Sequence, residues 1–141
     1  MTTAVDSRSP RRRLGDAAEQ AVAARLVRQG WSILGSSVHI GRDELDLIAV
    51  EPGDPPTLVF VEVRSHSVSR FGAPEESVGA DKVARLYRAT MELLRRGRLP
   101  DGTALPRLGW RVDLIAVQRE ADAHGEPASR TFRHVRGLAP P

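Results

Sequence analysis

The stretch that decides the fold is residues 41–50, GRDELDLIAV, together with residues 57–64, TLVFVEVR. Both stretches are rich in the apolar and β-branched residues that are typical of buried strands. The segment between them, residues 51–56 with the sequence EPGDPP, has the prolines, glycine and aspartate of a turn. The sequence therefore predicts an antiparallel hairpin at the centre of a sheet.

Each strand of this hairpin carries an acid that does not fit a purely apolar environment. A carboxylate in an apolar strand is costly unless it is paired, hydrogen-bonded or bound to a metal. Since side chains alternate along a strand, we expect Asp46 to share a face with Ile48, and Glu62 to share a face with Phe60 and Arg64. Counted outward from the turn, Asp46 and Glu62 lie at similar distances, which predicts that they are cross-strand neighbours.

Two neighbouring carboxylates repel each other unless a cation lies between them. Ligands that offer only oxygen suit Mg²⁺ or Mn²⁺, and Arg64 on the same face suits a phosphate. Structural roles stay open for each residue alone: Glu62 and Arg64 could form a simple ion pair, and Asp46 could cap a loop or meet an arginine. The combination of an acid, a hairpin and an acid-x-base triplet favours a site.

The rest of the chain predicts an α/β domain around the hairpin. Apolar residues at helical spacing predict helices at about residues 12–29 and 79–96. Further strands are expected at residues 31–40, 110–119 and 129–136. The element order is α-β-β-β-α-β-β, which predicts a mixed β-sheet flanked by helices.

The word DLIAV occurs a second time, at residues 113–117. The repeated word is too short to indicate an internal repeat, so we interpret it as a second strand of the same sheet. Asp113 is assigned to the architecture, with Arg111 pairing either with it or with an acid across the sheet.

Length and pattern predict one domain at residues 11–137. Residues 1–10 are expected to form a mobile tail and residues 138–141 a loose one. Residues 66–78 are expected to form a loop, since they lack apolar periodicity.

Composition limits the kinds of binding partner and the cellular compartment that we expect for this chain. The chain has no cysteine, which favours a reducing cytoplasm, and no apolar run long enough to cross a membrane. Its formal net charge is +3, and Lys82 is the only lysine among 21 basic residues. Arginine binds phosphate through a planar fork, so nucleic acid is a fitting partner, although an arginine-biased genome would give the same composition.

Five segments together resemble a known family. Asp46 and the triplet at residues 62–64 resemble the D…E-x-K core of PD-(D/E)XK nucleases, with Leu45 where that name has proline. Within this superfamily the chain is similar to the uncharacterised YraN-like family over residues 14–117. The matching segments are LGDAAEQAVAARLVRQGW, DELDLIAV, LVFVEVRSHS, FGAPEESVGADK and WRVDLIAV. The resemblance implies a restriction-endonuclease-like fold, similar to that of archaeal Holliday-junction resolvases.

The resemblance also assigns residues. Asp46 and Glu62 match the two metal-binding acids, and Glu19 matches an acid on the first helix that reaches the metal site. Glu44 matches an acid of the family's strand motif. Arg64 stands where the superfamily usually has lysine; arginine cannot act as a base at neutral pH, but it can stabilise an anionic transition state.

Three functional hypotheses follow from the resemblance and the residues. The first is an Mg²⁺- or Mn²⁺-dependent endonuclease acting on DNA, branched or otherwise structured, by metal-activated water. The second is a nucleic-acid-binding module without catalysis that contacts phosphates through Arg42, Lys82, Arg85 and Arg88. The third is a scaffold that binds proteins through its sheet edge or second helix. Related resolvases act as dimers, so a homodimer is an implied partner.

Overall fold

In the described part of the chain, two helices lie on opposite faces of one five-stranded sheet. The computed structural model describes residues 10–67, 78–121, 123–124 and 127–141. The elements are α1 (Pro10–Arg28), β1 (Ser32–Ile40), β2 (Asp43–Glu51), β3 (Thr57–Ser67), α2 (Ala80–Arg96), β4 (Trp110–Ala121) and β5 (Pro127–Val135). This is the α-β-β-β-α-β-β order predicted from the sequence, which confirms the α/β class.

The sheet is mixed, with strand order β1-β2-β3-β4-β5. The strands β2 and β3 form the predicted antiparallel hairpin, in register from Glu51↔Thr57 to Leu47↔Val61. The strands β3 and β4 are parallel, and α2 connects them. Gly97 ends α2 in the left-handed conformation, with φ of 72°, as a glycine at this position commonly does.

The sheet separates two apolar clusters. The cluster under α2 contains Phe60 and Ile48 together with Leu86 and Leu93 of the helix. The cluster under α1 contains Val22 and Leu26 of that helix, packed on the other face of the sheet. Because both faces of the central strands are covered, these strands read as nearly continuous apolar runs.

Side-chain alternation is interrupted at Asp46. Leu45 belongs to the cluster under α2, whereas Leu47 belongs to the cluster under α1, although two residues apart on a regular strand should share a face. On β1, Ser37 lies between the residues paired with Leu45 and Leu47, and it has φ of 47°. Regular alternation therefore does not run from Leu45 to Leu47, and the prediction that Asp46 shares the face of Ile48, which assumed it, loses its basis.

The C-terminal boundary differs from the expected one. The backbone N–H of Leu138 donates to the carbonyl of Val112 at 2.7 Å. The hydroxyl of Tyr87 donates to the carbonyl of Leu138 at 2.6 Å. The prediction of a loose tail at residues 138–141 is thus wrong for Leu138, which is fixed to β4 and α2.

The other boundaries are placed as follows. Pro10 already belongs to α1, and residues 1–9 of the expected N-terminal tail lie outside the described residues. Of the loop expected at residues 66–78, the first two residues extend β3 and residues 68–77 lie outside the described part. No helix in the described part of the chain is both long enough and apolar enough to cross a membrane.

Candidate metal centre

A group of carboxylates lies where the central hairpin opens. The paired register of β2 and β3 ends at Leu47 and Val61, and Asp46 and Glu62 are the next residues outward. There the backbone N–H of Val63 donates to Oδ2 of Asp46 at 2.8 Å. This bond holds the Asp46 carboxylate at the end of the hairpin, beside Glu62, as the strand spacing predicted.

Two further acids meet Asp46. Glu19 from α1, Glu44 and Asp46 each place one carboxylate oxygen within 4.8 Å of the others. The hydroxyl of Ser37 donates to Oε2 of Glu19 at 2.9 Å, which holds the Glu19 carboxylate towards β1. We call Glu19, Glu44 and Asp46 the carboxylate trio. Oxygen ligands at this spacing suit a hard divalent cation such as Mg²⁺ or Mn²⁺.

Glu62 lies next to the trio and is almost completely buried, with 4% of its surface exposed. Burial and the negative charge of Asp46 raise the pKa of the Glu62 carboxyl to about 8, although Lys82 and Arg64 act in the opposite direction. Oε2 of Glu62 has no hydrogen-bond partner among the described residues. A buried carboxylate oxygen without a partner calls for an explanation, and a bound cation is one.

Glu19, at the α1 side of the trio, also has a raised pKa. Burial and the charge of Asp46 raise the pKa of Glu19 to about 7, while the Ser37 hydrogen bond lowers it. Raised pKa values at two acids that both interact with Asp46 mean that their negative charges are under-compensated by the protein itself. A divalent cation would supply the missing charge.

Two cationic side chains reach this group. Nζ of Lys82 and Nε of Arg64 each lie 3.5 Å from Oε1 of Glu62. The structure thus brings together all four residues predicted as catalytic, Glu19, Asp46, Glu62 and Arg64. Lys82, predicted as a phosphate contact, lies at the Glu62 carboxylate, a placement that its sequence position did not indicate.

The other predicted phosphate contacts lie along a separate groove. Arg42, Arg85 and Arg88 line a groove of about 580 Å³ between the β1–β2 turn and α2. Arg88 forms a two-bond ion pair with Asp43, at 2.9 and 2.7 Å, so part of its charge is neutralised within the protein. Nε of Arg85 contacts the carbonyl of Asp81 at 3.4 Å. The groove is basic, but less so than its arginine count suggests.

Sequence reasoning did not identify two features of this region. Ser37 contacts Glu19, but a serine in a weak strand gives no signal of this role. A cavity of about 450 Å³ beside the trio, between α1 and β1, was also missed. Its lining residues are distant along the chain, so only the packing of α1 on the sheet brings them together.

The raised pKa values predict an unusual dependence of stability on pH. A folded-state pKa raised from 4.5 to about 7 for Glu19 and to about 8 for Glu62 favours the protonated folded protein. The stability that protonation provides is lost as the pH rises through these values. We therefore expect the melting temperature of the metal-free protein, measured by calorimetry with EDTA, to fall between about pH 5 and about pH 8.

Acids with lowered pKa values, such as Asp43 and Glu51, contribute stability that is lost mainly as the pH falls below this window. Added Mn²⁺ should raise the melting temperature more at the alkaline end than at the acidic end, because metal competes with protons for the carboxylates. A melting temperature that is constant or rising over the window without metal would contradict the burial of these two charges.

Comparison with known proteins covers the same part of the chain. The model of a family described as "Uncharacterised protein family UPF0102" matches residues 18–117, a range that contains the trio, Glu62, Arg64 and Lys82. A UPF0102 protein of Symbiobacterium thermophilum is 43% identical over 90 residues, which are 63% of this chain and 74% of the relative. One of Deinococcus radiodurans is 37% identical over 108 residues, 77% of this chain and 82% of the relative.

A third UPF0102 protein, from Phocaeicola vulgatus, is 34% identical over 121 residues, which cover 86% of this chain and 87% of the relative. Among solved structures, one described as Pyrococcus furiosus SfsA in complex with Ca²⁺ is 16% identical. It aligns with 91% of this chain and 64% of its own length, at a TM-score of 0.37. A similarity this low supports no statement about activity.

Proposed function

The chain belongs to the uncharacterised protein family UPF0102, and we propose that it is a divalent-metal-dependent nuclease that hydrolyses DNA phosphodiester bonds. The observation that carries the proposal is the buried Glu62 carboxylate, with one oxygen unpartnered in the described structure, beside the carboxylate trio. The resemblance of Asp46, Glu62 and Arg64 to the core of PD-(D/E)XK nucleases supports the same function. We assign branched or otherwise structured DNA as the substrate.

The donor set fits Mg²⁺ or Mn²⁺. Asp46 and Glu62 would hold the metal, and Glu19 and Glu44, which each place a carboxylate oxygen within 4.8 Å of one of Asp46, would add further oxygen ligands. When bound, the metal would lower the pKa of a water molecule and neutralise negative charge on the phosphate.

Two cationic side chains of the chain would act on the anionic substrate. Without a cation the four carboxylates would repel a phosphodiester, so Lys82 and Arg64 are the groups that favour an anionic substrate here. Arg64 cannot accept a proton near neutral pH, since its pKa lies above about 12. It acts by stabilising negative charge, and Lys82, from α2, provides the ammonium group that the acid-x-arginine triplet lacks.

Arg42, Arg85 and Arg88 would hold the DNA backbone along the groove beside α2. We place this activity in the cytoplasm, with a homodimer as the form that would match a two-fold symmetric DNA junction.

The alternative function is a nucleic-acid-binding module without catalysis. The observation that favours it is Arg64 at the position where the superfamily usually has lysine. Such a module would bind DNA with a steep dependence on salt, because binding would rest on arginine–phosphate contacts. It would not show metal-dependent cleavage.

The test combines metal binding with cleavage. Mn²⁺ binding is measured by calorimetry, and cleavage of an end-labelled four-way DNA junction is followed in the same samples. We expect both in the wild type and neither in the double variant Asp46→Ala, Glu62→Ala. Glu92→Ala is the control for Mn²⁺ binding, since Glu92 pairs with Arg95 and Arg96 on α2 and not with the acids of the metal centre.

Absence of Mn²⁺ binding in the wild type would overturn the nuclease proposal. Mn²⁺ binding and DNA binding without cleavage of single-stranded, duplex or branched DNA would favour the non-catalytic module. Cleavage that persists in the double variant would mean that the activity comes from elsewhere.

A further inference from the structure

A cavity of about 450 Å³ opens beside the carboxylate trio. It lies between α1 and β1, and Glu19 belongs both to its lining and to the trio. The size falls within the range of about 300–1,000 Å³ that small-molecule sites occupy. A group bound in this cavity would therefore lie next to the metal centre.

The lining combines an apolar floor with a polar rim. Ala23, Ile33 and Leu47 form the floor, and all three pack in or against the cluster under α1. Gln20 and Ser36 contribute an exposed amide and an exposed hydroxyl to the rim. A flat, weakly polar ring with hydrogen-bonding edges matches such a lining, because its faces can cover the floor while its edges meet the amide and hydroxyl.

The acid that the cavity shares with the trio favours one class of ligand. Glu19 lines the cavity and lies beside the carboxylates of Glu44 and Asp46. A phosphate in the cavity would approach the Glu19 carboxylate, whereas a neutral group could donate a hydrogen bond to it. The exocyclic amino groups of nucleobases are such donors.

We propose that this cavity binds one unpaired nucleobase of the DNA strand whose phosphate lies at the carboxylate trio. This inference rests on the proposed nuclease function and specifies its substrate. A base inside a duplex cannot enter a cavity unless it leaves the stack, which costs a few kcal/mol. The cavity therefore selects strands that already contain unpaired nucleotides, as branch points and single-stranded ends do.

The test separates base recognition from backbone binding. The probes are a fluorescently labelled single-stranded DNA of mixed sequence and an abasic oligomer with the same number of phosphates. Both are titrated in the presence of Ca²⁺, which takes oxygen ligands as Mg²⁺ does and is used here in its place. We expect the wild type to bind the base-containing strand roughly tenfold more tightly than the abasic one.

Two variants with matched controls locate the preference. Ser36→Leu places an apolar side chain into the cavity from an exposed position of β1, and Ser32→Leu makes the same change on the same strand away from the cavity. Gln20→Ala removes the amide of the rim, and Gln29→Ala is its control after the end of α1. We expect the two cavity variants to lose most of the tenfold preference, with the abasic affinity and Ca²⁺ binding unchanged.

The outcomes distinguish this inference from the function on which it rests. If the wild type binds metal and DNA but treats both probes alike, the base site is wrong and the nuclease proposal stands. The same conclusion follows if Ser36→Leu and Gln20→Ala keep the preference shown by their controls. If the wild type binds neither metal nor either probe, both proposals fall together.

Discussion

The variant Glu62→Gln is expected to stabilise the metal-free protein at alkaline pH and to abolish Mn²⁺ binding. In the wild type, burial and the charge of Asp46 raise the pKa of Glu62 to about 8, so ionisation above that pH opposes folding. Glutamine resembles the protonated acid and carries no charge to bury. One pKa unit corresponds to about 1.4 kcal/mol. The free energy of unfolding of the variant above pH 8 should therefore exceed that of the wild type by roughly 2 kcal/mol or more.

The measurement is thermal unfolding with EDTA at several pH values, followed by Mn²⁺ calorimetry on the same preparations. A gain of this size should raise the melting temperature by several degrees at about pH 9 and hardly at about pH 5, where the wild-type acid is already protonated. Few substitutions of a buried polar residue stabilise a protein, so an increase in the melting temperature would itself be informative. It would mean that the fold tolerates an unfavourable charge in order to bind a cation.

Glu92→Gln is the matched control for this variant. Glu92 forms ion pairs with Arg95 and Arg96, which lower its pKa, so its loss should give no stabilisation at any pH and leave Mn²⁺ binding intact. If Glu62→Gln destabilised the metal-free protein at alkaline pH, the pairing of Glu62 with Lys82 and Arg64 would outweigh its burial. The assignment of Glu62 as a metal ligand would then lose its main support.

The neighbouring positions of Asp46 and Glu62 could be predicted from the sequence, because they depend on the turn and on the strands that flank it. A turn-rich segment between two apolar runs gives a hairpin, and the hairpin fixes which residues stand opposite each other. Counting from the turn placed Asp46 beside Glu62, and the structure has them one step beyond the last paired residues, Leu47 and Val61. Glu19 and Glu44 entered only through the resemblance to a family, since spacing alone gave no reason to choose them.

The features of the site that could not be predicted from the sequence depend on contacts between distant segments. The face change at Asp46 accompanies a positive φ at Ser37, a residue type that gives no warning of a left-handed conformation. Lys82 reaches Glu62 because α2 packs across the sheet, and the intervening residues do not encode that distance as a local pattern. Periodicity specifies the apolar face of a helix, but not which polar residue at its edge meets a given strand.

A second buried acid shows what a purely structural carboxylate looks like in this protein. Asp113 is fully buried, and its oxygens accept hydrogen bonds from Arg111 at 2.8 and 3.0 Å and from the backbone N–H of Gly137 at 2.9 Å. Nε2 of His134 lies 2.7 Å from the same carboxylate. Burial alone would raise the pKa of Asp113, but the hydrogen bonds with His134 and Arg111 outweigh it and hold the pKa below its usual value. The contrast with Glu62 supports different roles for the two acids.

The network around Asp113 connects three parts of the fold. Arg111 also donates to Glu51 at the end of β2, at 2.9 Å, and Arg136 pairs with the same glutamate. The sequence is compatible with Arg111 pairing either with Asp113 or with an acid across the sheet, and the structure shows both contacts. The network thereby joins β2 and β4 to the segment that follows β5.

We expect Asp113→Ala to destabilise the protein by about 3–5 kcal/mol, because it leaves Arg111 without its buried partner and the Gly137 N–H without an acceptor. At this chain length the melting temperature should fall by roughly 10 °C or more, measured by calorimetry at about pH 7.

Asp113→Asn keeps the shape and one acceptor oxygen but loses the charge, so its melting temperature should lie between those of the wild type and the alanine variant. Both variants, where folded, should bind Mn²⁺ as the wild type does, since the carboxylate of Asp113 contacts Arg111, His134 and the Gly137 N–H rather than the acids of the metal centre. A loss of less than about 1 kcal/mol for alanine would mean that water replaces the carboxylate and that the network is open to solvent.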